Sequence, residues 1–500
     1  MSAREDQGGF VVRKVQGGEV RGVDADGIYT FLSVPYAAPP VGQRRFVEAQ
    51  PVEAWDGIRD ATKAGPTSHY KIPIFPTLEL APLIGPGDTG GDDVLTANIW
   101  APADAKGRPV MVWIHGGAFV LGSKDATVSD GASFARSGIV CVAISYRLAI
   151  DGFLPIPGAP TNLGLRDMLA ALRWVRENIS AFGGDPDNIT VFGESAGAMA
   201  LADLVTSPLA KGLFKRAIVQ SGHGSMVRDL PVAQKLVRRI AKYLKIKPDV
   251  EGFRSVDPKR GWEAVEKIGK PLRRIDLRDA DGRDPVFGIS RFIPVWGDDV
   301  LPKKPLEALK DGAGADIELL IGSNAEEMNF YFVPTKVKQK IPGWLAKWML
   351  GKSHPTARAT LRAYGFGAPG KRPGEAFTDA MTDLVFRWPA RRFAEEHRGR
   401  THVFEFEWRS PRYDDGLGAA HGMELPFVFK TLPSVTGEHG LVGENPPAEL
   451  AEKIHNIWVG FATDGSLPWP EFDRAHRNVH QLRAGTTIDE APMPAAPFLP

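Results

Sequence analysis

Residues 188–198 read Asn-Ile-Thr-Val-Phe-Gly-Glu-Ser-Ala-Gly-Ala, and this stretch narrows the folds open to the chain more than any other. Ile189 to Phe192 is a short apolar, β-branched run with the character of a buried strand. Gly193-Glu194-Ser195-Ala196-Gly197 follows it directly, and Ala198-Met199-Ala200-Leu201 has the composition of a helix. The order is therefore strand, tight turn, helix, with a serine at the apex. A turn sharp enough to push a hydroxyl out of the backbone leaves no room for a Cβ two residues to either side, which is where the glycines stand. Gly-x-Ser-x-Gly alone is a weak pattern; its placement between a strand and a helix makes Ser195 a candidate nucleophile. Glu194, beside it, reads as a buried supporting contact.

A serine at such a turn belongs at the edge of a sheet, and the chain supplies one. Residues 10–60 read as short strands and turns, interrupted by the proline-rich run 34–42. From residue 94 strands and helices alternate: 94–100, 110–114, 139–145, 189–192, 217–220, 317–321 and 401–408 read as strands. Residues 165–179 and 449–462 carry helical spacing. Continuous apolar strands separated by helices indicate an α/β fold with a mostly parallel sheet covered on both faces. We expect a single domain over 1–500. Residues 226–314 and 334–400 read as charged, mainly helical insertions, the second with a basic, solvated face. Residues 66–92 are a long loop rich in Pro, Gly and Leu, of the kind that forms a wall or lid.

Composition excludes several classes. Hydrophobic content of 43% and charged content of 24% are ordinary for a globular protein, and the formal net charge is only +1. No global field favours nucleic acid or an anionic membrane. The single cysteine, Cys141, lies in an apolar run and has no intrachain partner, so nothing suggests an oxidising compartment. No segment reaches the length of a membrane span. The first residues, Met1 to Gln7, carry acids and lead into no apolar core, unlike a signal peptide. The expectation is a cytoplasmic protein, monomeric or weakly self-associating.

A serine hydroxyl needs a base to take its proton, and the base needs a carboxylate to orient it. In sheets with this kind of turn the chain order is Ser, acid, His. Among the later histidines His421 stands out, in the small-residue loop Gly418-Ala419-Ala420-His421-Gly422 after a strand; His402, His439, His476 and His480 read as solvated. The acid is expected after the strand at 317–321, where Glu326 and Glu327 are adjacent. His115-Gly116-Gly117-Ala118-Phe119, directly after the strand at 110–114, has the form of an oxyanion loop, and Ala196 offers a further N–H. His115 itself reads as structural.

These motifs together resemble the type-B carboxylesterases, a family of α/β-hydrolases that includes para-nitrobenzyl esterases and cholinesterases. The similarity runs nearly end to end. It takes in 34–42 with Arg45-Phe46, Asn98-Ile99-Trp100, 113–119, Ser145-Tyr146-Arg147-Leu148 and 162–167. It continues through Phe182-Gly183-Gly184-Asp185-Pro186, 193–197, Gln220-Ser221-Gly222 and His421-Gly422. The resemblance implies Ser195 as nucleophile, His421 as base and Glu327 as acid, with N–H donors from Gly117, Ala118 and Ala196. It also implies Ser221 as a buried residue supporting the acid and base from behind. It departs at Val94, where many relatives carry a disulfide cysteine, at Ala118 in place of a third glycine, and at Met328 in place of the glycine after the acid. The last departure keeps Glu326 as a rival.

The chain is accordingly expected to be a serine carboxylic-ester hydrolase acting on neutral, apolar esters of small molecules through an acyl-enzyme, with no metal or organic cofactor. Phe75, Phe119, Phe330, Phe332, Phe386, Trp388 and Met423 are candidate pocket residues, though aromatic residues at such places also serve as core. Three alternatives share the fold: specialisation for carbamates, amides or polyester-like substrates; a binding module that no longer catalyses; and a lipase with an amphipathic lid, which the prolines of 66–92 disfavour.

Overall fold

The computed structural model describes residues 9–75, 77–269, 275–414, 416–494 and 496–498; the N-terminal stretch considered for a leader lies outside them. The strands of the main sheet are β1 (Gly9–Val15), β2 (Gly18–Ala25), β3 (Ile28–Pro35), β4 (Ile58–Asp60), β5 (Thr96–Pro102), β6 (Arg108–Ile114) and β7 (Val140–Ile144). They continue with β8 (Gly184–Glu194), β9 (Arg216–Gln220), β10 (Glu318–Asn324), β11 (Thr401–Phe406), β12 (Asn478–Gln481) and β13 (Thr486–Asp489). Their spatial order is β1-β2-β3-β5-β7-β6-β8-β9-β10-β11-β12-β13, with β4 alongside β2. From β7 through β6, β8, β9, β10, β11 to β12 every pairing is parallel, and antiparallel strands close both ends.

The central strands are apolar on both faces because both faces are covered, and alternation sorts their side chains between two cores. Val110, Val112 and Ile114 of β6 enter one, together with Leu165, Met168, Leu172 and Val175 of the helix Leu163–Asn178. Met111 and Trp113 enter the other, with Ile454, Trp458 and Phe461 of the helix Ala448–Asp464. Ser145-Tyr146-Arg147-Leu148 and the 162–167 motif meet where Arg147 and Asp167 form a buried bidentate pair at 2.8 and 2.6 Å. That pair is structural: both side chains are sealed from solvent.

The strand boundaries shift slightly from the pattern. β8 begins at Gly184, before its apolar run, because Gly184 pairs with Arg108 at an irregularity in the ladder. In 226–314 the described helices are Leu230–Leu244, Val250–Arg254, Pro258–Gly269 and Pro305–Lys310, and most of 275–304 is irregular. Two histidines depart from the solvated setting expected of them. His402 and His480 are buried because the Trp469 ring covers them, His480 stacking on it at 4.1 Å and His402 meeting it edge-on at 6.2 Å. His439 and His476 are exposed.

Candidate active site

β8 ends at Glu194, Ser195 takes φ 54° and ψ −125°, and the helix Ala196–Thr206 starts at once. A serine at positive φ is strained, and the surroundings hold it there. A Cβ on Gly197 would lie 2.1 Å from the Ile114 carbonyl oxygen, and one on Gly193 would lie 2.8 Å from the Gly197 backbone. Either would prise the turn from the sheet.

The four loops expected to converge do so beyond the C-terminal ends of β6, β8, β10 and β11. His421 Nε2 lies 2.8 Å from Ser195 Oγ, and His421 Nδ1 lies 2.7 Å from Glu327 Oε2. The other oxygen of Glu327 accepts the Asn324 N–H at 2.8 Å, and the Glu327 carbonyl accepts the His421 N–H at 3.1 Å. A carboxylate facing Nδ1 places the imidazole proton there, so Nε2 is left as the acceptor for the serine O–H. Glu326 is not part of this relay. Its carboxylate accepts from Arg409 at 2.6 Å and from the Ala419 N–H at 3.0 Å, which ties down the loop carrying His421. The sequence pattern, which leaves Glu326 as a rival for the acid, does not show that tie.

Behind Ser195 the loop 115–119 turns through three positive φ values, 109° at Gly117, 54° at Ala118 and 61° at Phe119. Such a run gathers successive N–H groups on one side, a cradle for an anion. The N–H groups of Gly117 and Ala118 find no protein acceptor among the described residues, and that of Ala196 opens a helix. A Cβ on Gly117 would meet the Leu121 carbonyl oxygen at 2.0 Å. The loop's carbonyls are pinned from behind: Tyr146 Oη donates to His115 O, Ser290 Oγ to Ala118 O, and the Ala149 N–H to Phe119 O. His115 stacks on Tyr146, and burial pushes its pKa down to about 4, so it stays neutral.

A second layer of carboxylates surrounds the relay. Glu194 Oε1 sits 3.1 Å from His421 Nε2, without a hydrogen bond of its own. Burial pushes the Glu194 carboxyl up to about 8; His421 works against the rise, and Glu424 and Glu327 add to it. Glu424, fully buried, accepts from Gln220 and Asn324, and burial and Glu327 raise its pKa too. For His421 burial disfavours the imidazolium, but the charges of Glu194 and Glu327 outweigh it and raise the pKa to about 9. Ser221 has the strained φ of 52°, yet its hydroxyl has no hydrogen-bond partner among the described residues. The hydrogen bonds around the relay come instead from Asn324, whose backbone N–H donates to Glu327 and whose side chain donates to Glu424, and from Gln220, which also donates to Glu424.

The candidate pocket residues divide. Phe386 lies 4.5 Å from His421 between ring centroids, and Phe330 lies 6.4 Å away. Phe75, from the 66–92 loop, stacks on Phe330 at 5.4 Å. Phe332 lines an apolar cavity of about 210 Å³ with Met328, Tyr331, Met349, Phe377 and Met381. Three others are turned elsewhere. Phe119 is buried against Phe153, Met423 is packed in the core, and Trp388 lies under Arg477. Tyr331 was not anticipated: its ring is 5.8 Å from His421 and it also lines the cavity. Its signal was the Phe330-Tyr331-Phe332 run, which forms the helical turn Asn329–Phe332 and so points its neighbouring rings to different sides. Among the described residues, no group of three or more His, Cys, Asp and Glu side chains is arranged to hold a metal ion.

The model of the carboxylesterase family matches residues 10–494. The chain belongs to that family. It is 34% identical over 494 residues to the para-nitrobenzyl esterase of Bacillus subtilis (strain 168), covering 95% of this chain and 96% of that one. It is also 34% identical over 473 residues to the phenmedipham hydrolase of Pseudarthrobacter oxydans, covering 91% of each. Among solved structures, a PNB esterase superposes with a TM-score of 0.83 at 30% identity, covering 98% and 99% of the two chains. The carboxylesterase of Geobacillus stearothermophilus gives 0.81 at 34% identity, covering 96% and 98%. The esterase thus has the α/β-hydrolase fold and hydrolyses carboxylic esters. No helix among its described residues is long and apolar enough to cross a membrane.

Proposed function

We propose that the esterase works by acylation and deacylation of Ser195, on neutral, apolar esters. The observation that carries this reading is the unbroken relay from Ser195 Oγ through His421 to Glu327, at 2.8 and 2.7 Å. Ser195 attacks the ester carbonyl while His421 Nε2 takes its proton. The carbonyl oxygen becomes an oxyanion against the N–H groups of Gly117, Ala118 and Ala196. His421, now an imidazolium held by Glu327, gives its proton to the departing alcohol. Water then enters, His421 takes its proton, and collapse of the second tetrahedral intermediate frees the acid and Ser195. Glu194 and Glu424 help to hold His421 in place.

The apolar rings of Phe386, Phe330 and Tyr331 around His421 favour substrates without charge at the ester, and 66–92 forms one wall through Phe75. We further propose a cytoplasmic protein, since the one cysteine is buried and cannot pair within the chain. We read the whole as one domain, active as a monomer or weak oligomer. Replacing Ser195 with Ala tests the mechanism: turnover of p-nitrophenyl esters should fall roughly a millionfold with the fold intact. Activity above a few per cent in clean protein would remove Ser195 from its role. A series of acyl lengths, with one carbamate and one anilide, defines the substrate range.

A further inference from the structure

The helix Gly343–Gly351 packs Ala346 and Leu350 inward and leaves Trp344 69% and Trp348 42% exposed. Two tryptophans four residues apart stand on one side of a helix, a costly display of apolar area for a surface facing only water. Along the chain beside them the charge is of one sign, and the acids Glu375 and Asp379 of the neighbouring helix Pro373–Thr382 pair with Arg372 and Lys371. Lys336, Lys338, Lys340, Lys347 and Lys352 fall within 17 residues, and no Asp or Glu occurs between Glu327 and Glu375. Lys336, Lys340 and Lys347 are exposed and form no ion pair among the described residues. Lys352 lies over the Trp348 ring at 3.3 Å, which brings cation and indole to the same level.

We propose that this helix and the lysines before it are a docking face for an anionic lipid surface. Tryptophan settles at the headgroup level of such a surface, where its ring is apolar and its N–H is wet. Lysines beside it reach the phosphates while their stems lie along the apolar layer. A second copy of the chain is a poorer occupant, because a twofold contact through this face would set like lysines against one another. Met349, 37% exposed on the same helix, also lines the apolar cavity, as does Tyr331, whose ring lies 5.8 Å from His421. Docking therefore brings the rim of that cavity to the lipid, where apolar esters concentrate. The face binds without turnover, so its test does not depend on the mechanism proposed above.

Flotation of the full-length protein with vesicles of phosphatidylcholine, alone or mixed with phosphatidylglycerol, is the direct test. Binding should require phosphatidylglycerol and weaken with added salt. Trp344→Ser with Trp348→Ser should abolish flotation. Lys340→Gln and Lys347→Gln should each weaken partitioning roughly fivefold. Hydrolysis of a soluble short-chain p-nitrophenyl ester without vesicles should be unchanged in every variant, which shows that they fold. No flotation of the parent protein, or equal flotation of the variants, overturns the proposal. Self-association by sedimentation that the tryptophan variant loses, with no vesicle binding, would assign the face to a second copy instead.

Discussion

At the residue scale, Glu326 and Glu327 show how neighbours divide tasks. Glu327 faces His421 at 2.7 Å, while Glu326 holds Arg409 and the Ala419 N–H. Glu327→Gln keeps the shape, removes the charge and favours the wrong histidine tautomer; the equivalent change in a related triad costs about ten-thousandfold in turnover. Glu326→Gln should cost less than about tenfold, since it loosens a loop without touching the relay. Steady-state turnover of the two variants on one ester decides between them. Glu194 makes a different prediction. Catalysis needs His421 neutral, so activity rises with pH through its pKa, and the charge of Glu194 helps hold that pKa above the usual histidine value. Glu194→Gln removes that pull, so the rising limb of kcat/KM against pH should move to lower pH. A limb that stays in place would mean Glu194 carries no charge in that range. Ser195, His421 and the oxyanion loop were legible in the sequence because each sits in a short motif whose steric demands are local. Tyr331, Ser290 and Glu424 were not, because their roles come from which segments meet: Ser290 reaches Ala118 across 172 positions of sequence.

At the scale of elements, the central strands were legible one by one, since a strand buried on both faces must be continuously apolar; β12 and β13 were not, because Asn478–Gln481 and Thr486–Asp489 carry no apolar run. What the pattern could not give was the irregular packing of 275–304, which has no period to read yet places Ser290 and Phe292 at the site's back. The helix Ala196–Thr206 carries its own oddity. Asp203 is buried in it with one carboxylate oxygen unpartnered, and burial raises its pKa well above 3.8. Proton uptake sets the sign. Above about 3.8 the unfolded chain releases this proton while the folded one keeps it, so the group's contribution to stability falls as pH rises toward its folded value. Asp203→Asn cannot ionise. Its melting temperature should exceed the parent's at pH 8 by about 2 °C or more, and the difference should shrink as the pH approaches 4. A pH-independent difference between the two proteins would mean Asp203 is already ionised in the fold.

At the scale of the molecule, net charge concealed the distribution of charge. A formal +1 by itself hides the basic face that 334–400 shows in the sequence, where the chain from Glu327 to Glu375 has no acid between those two residues. Summation over the whole sequence erases such a patch, and only the fold shows that tryptophans share it. Cys141 poses the complementary question of how far the molecule opens as a unit. It lies in β7 with no exposure, paired through the backbone to Trp100 and Met111 on either side. Burial and the charge of Asp130 both push its thiol pKa up, so even an admitted reagent would meet a thiol rather than a thiolate. Its modification therefore requires β7 to leave the centre of the sheet, which local fraying does not achieve. In native buffer a disulfide-exchange dye should label Cys141 no faster than the protein unfolds, and mild denaturant should raise labelling and loss of tertiary signal together. Reductant should leave the melting temperature unchanged. Rapid labelling of fully active protein would mean that the central strands separate without global unfolding, and that the parallel sheet is not one cooperative unit.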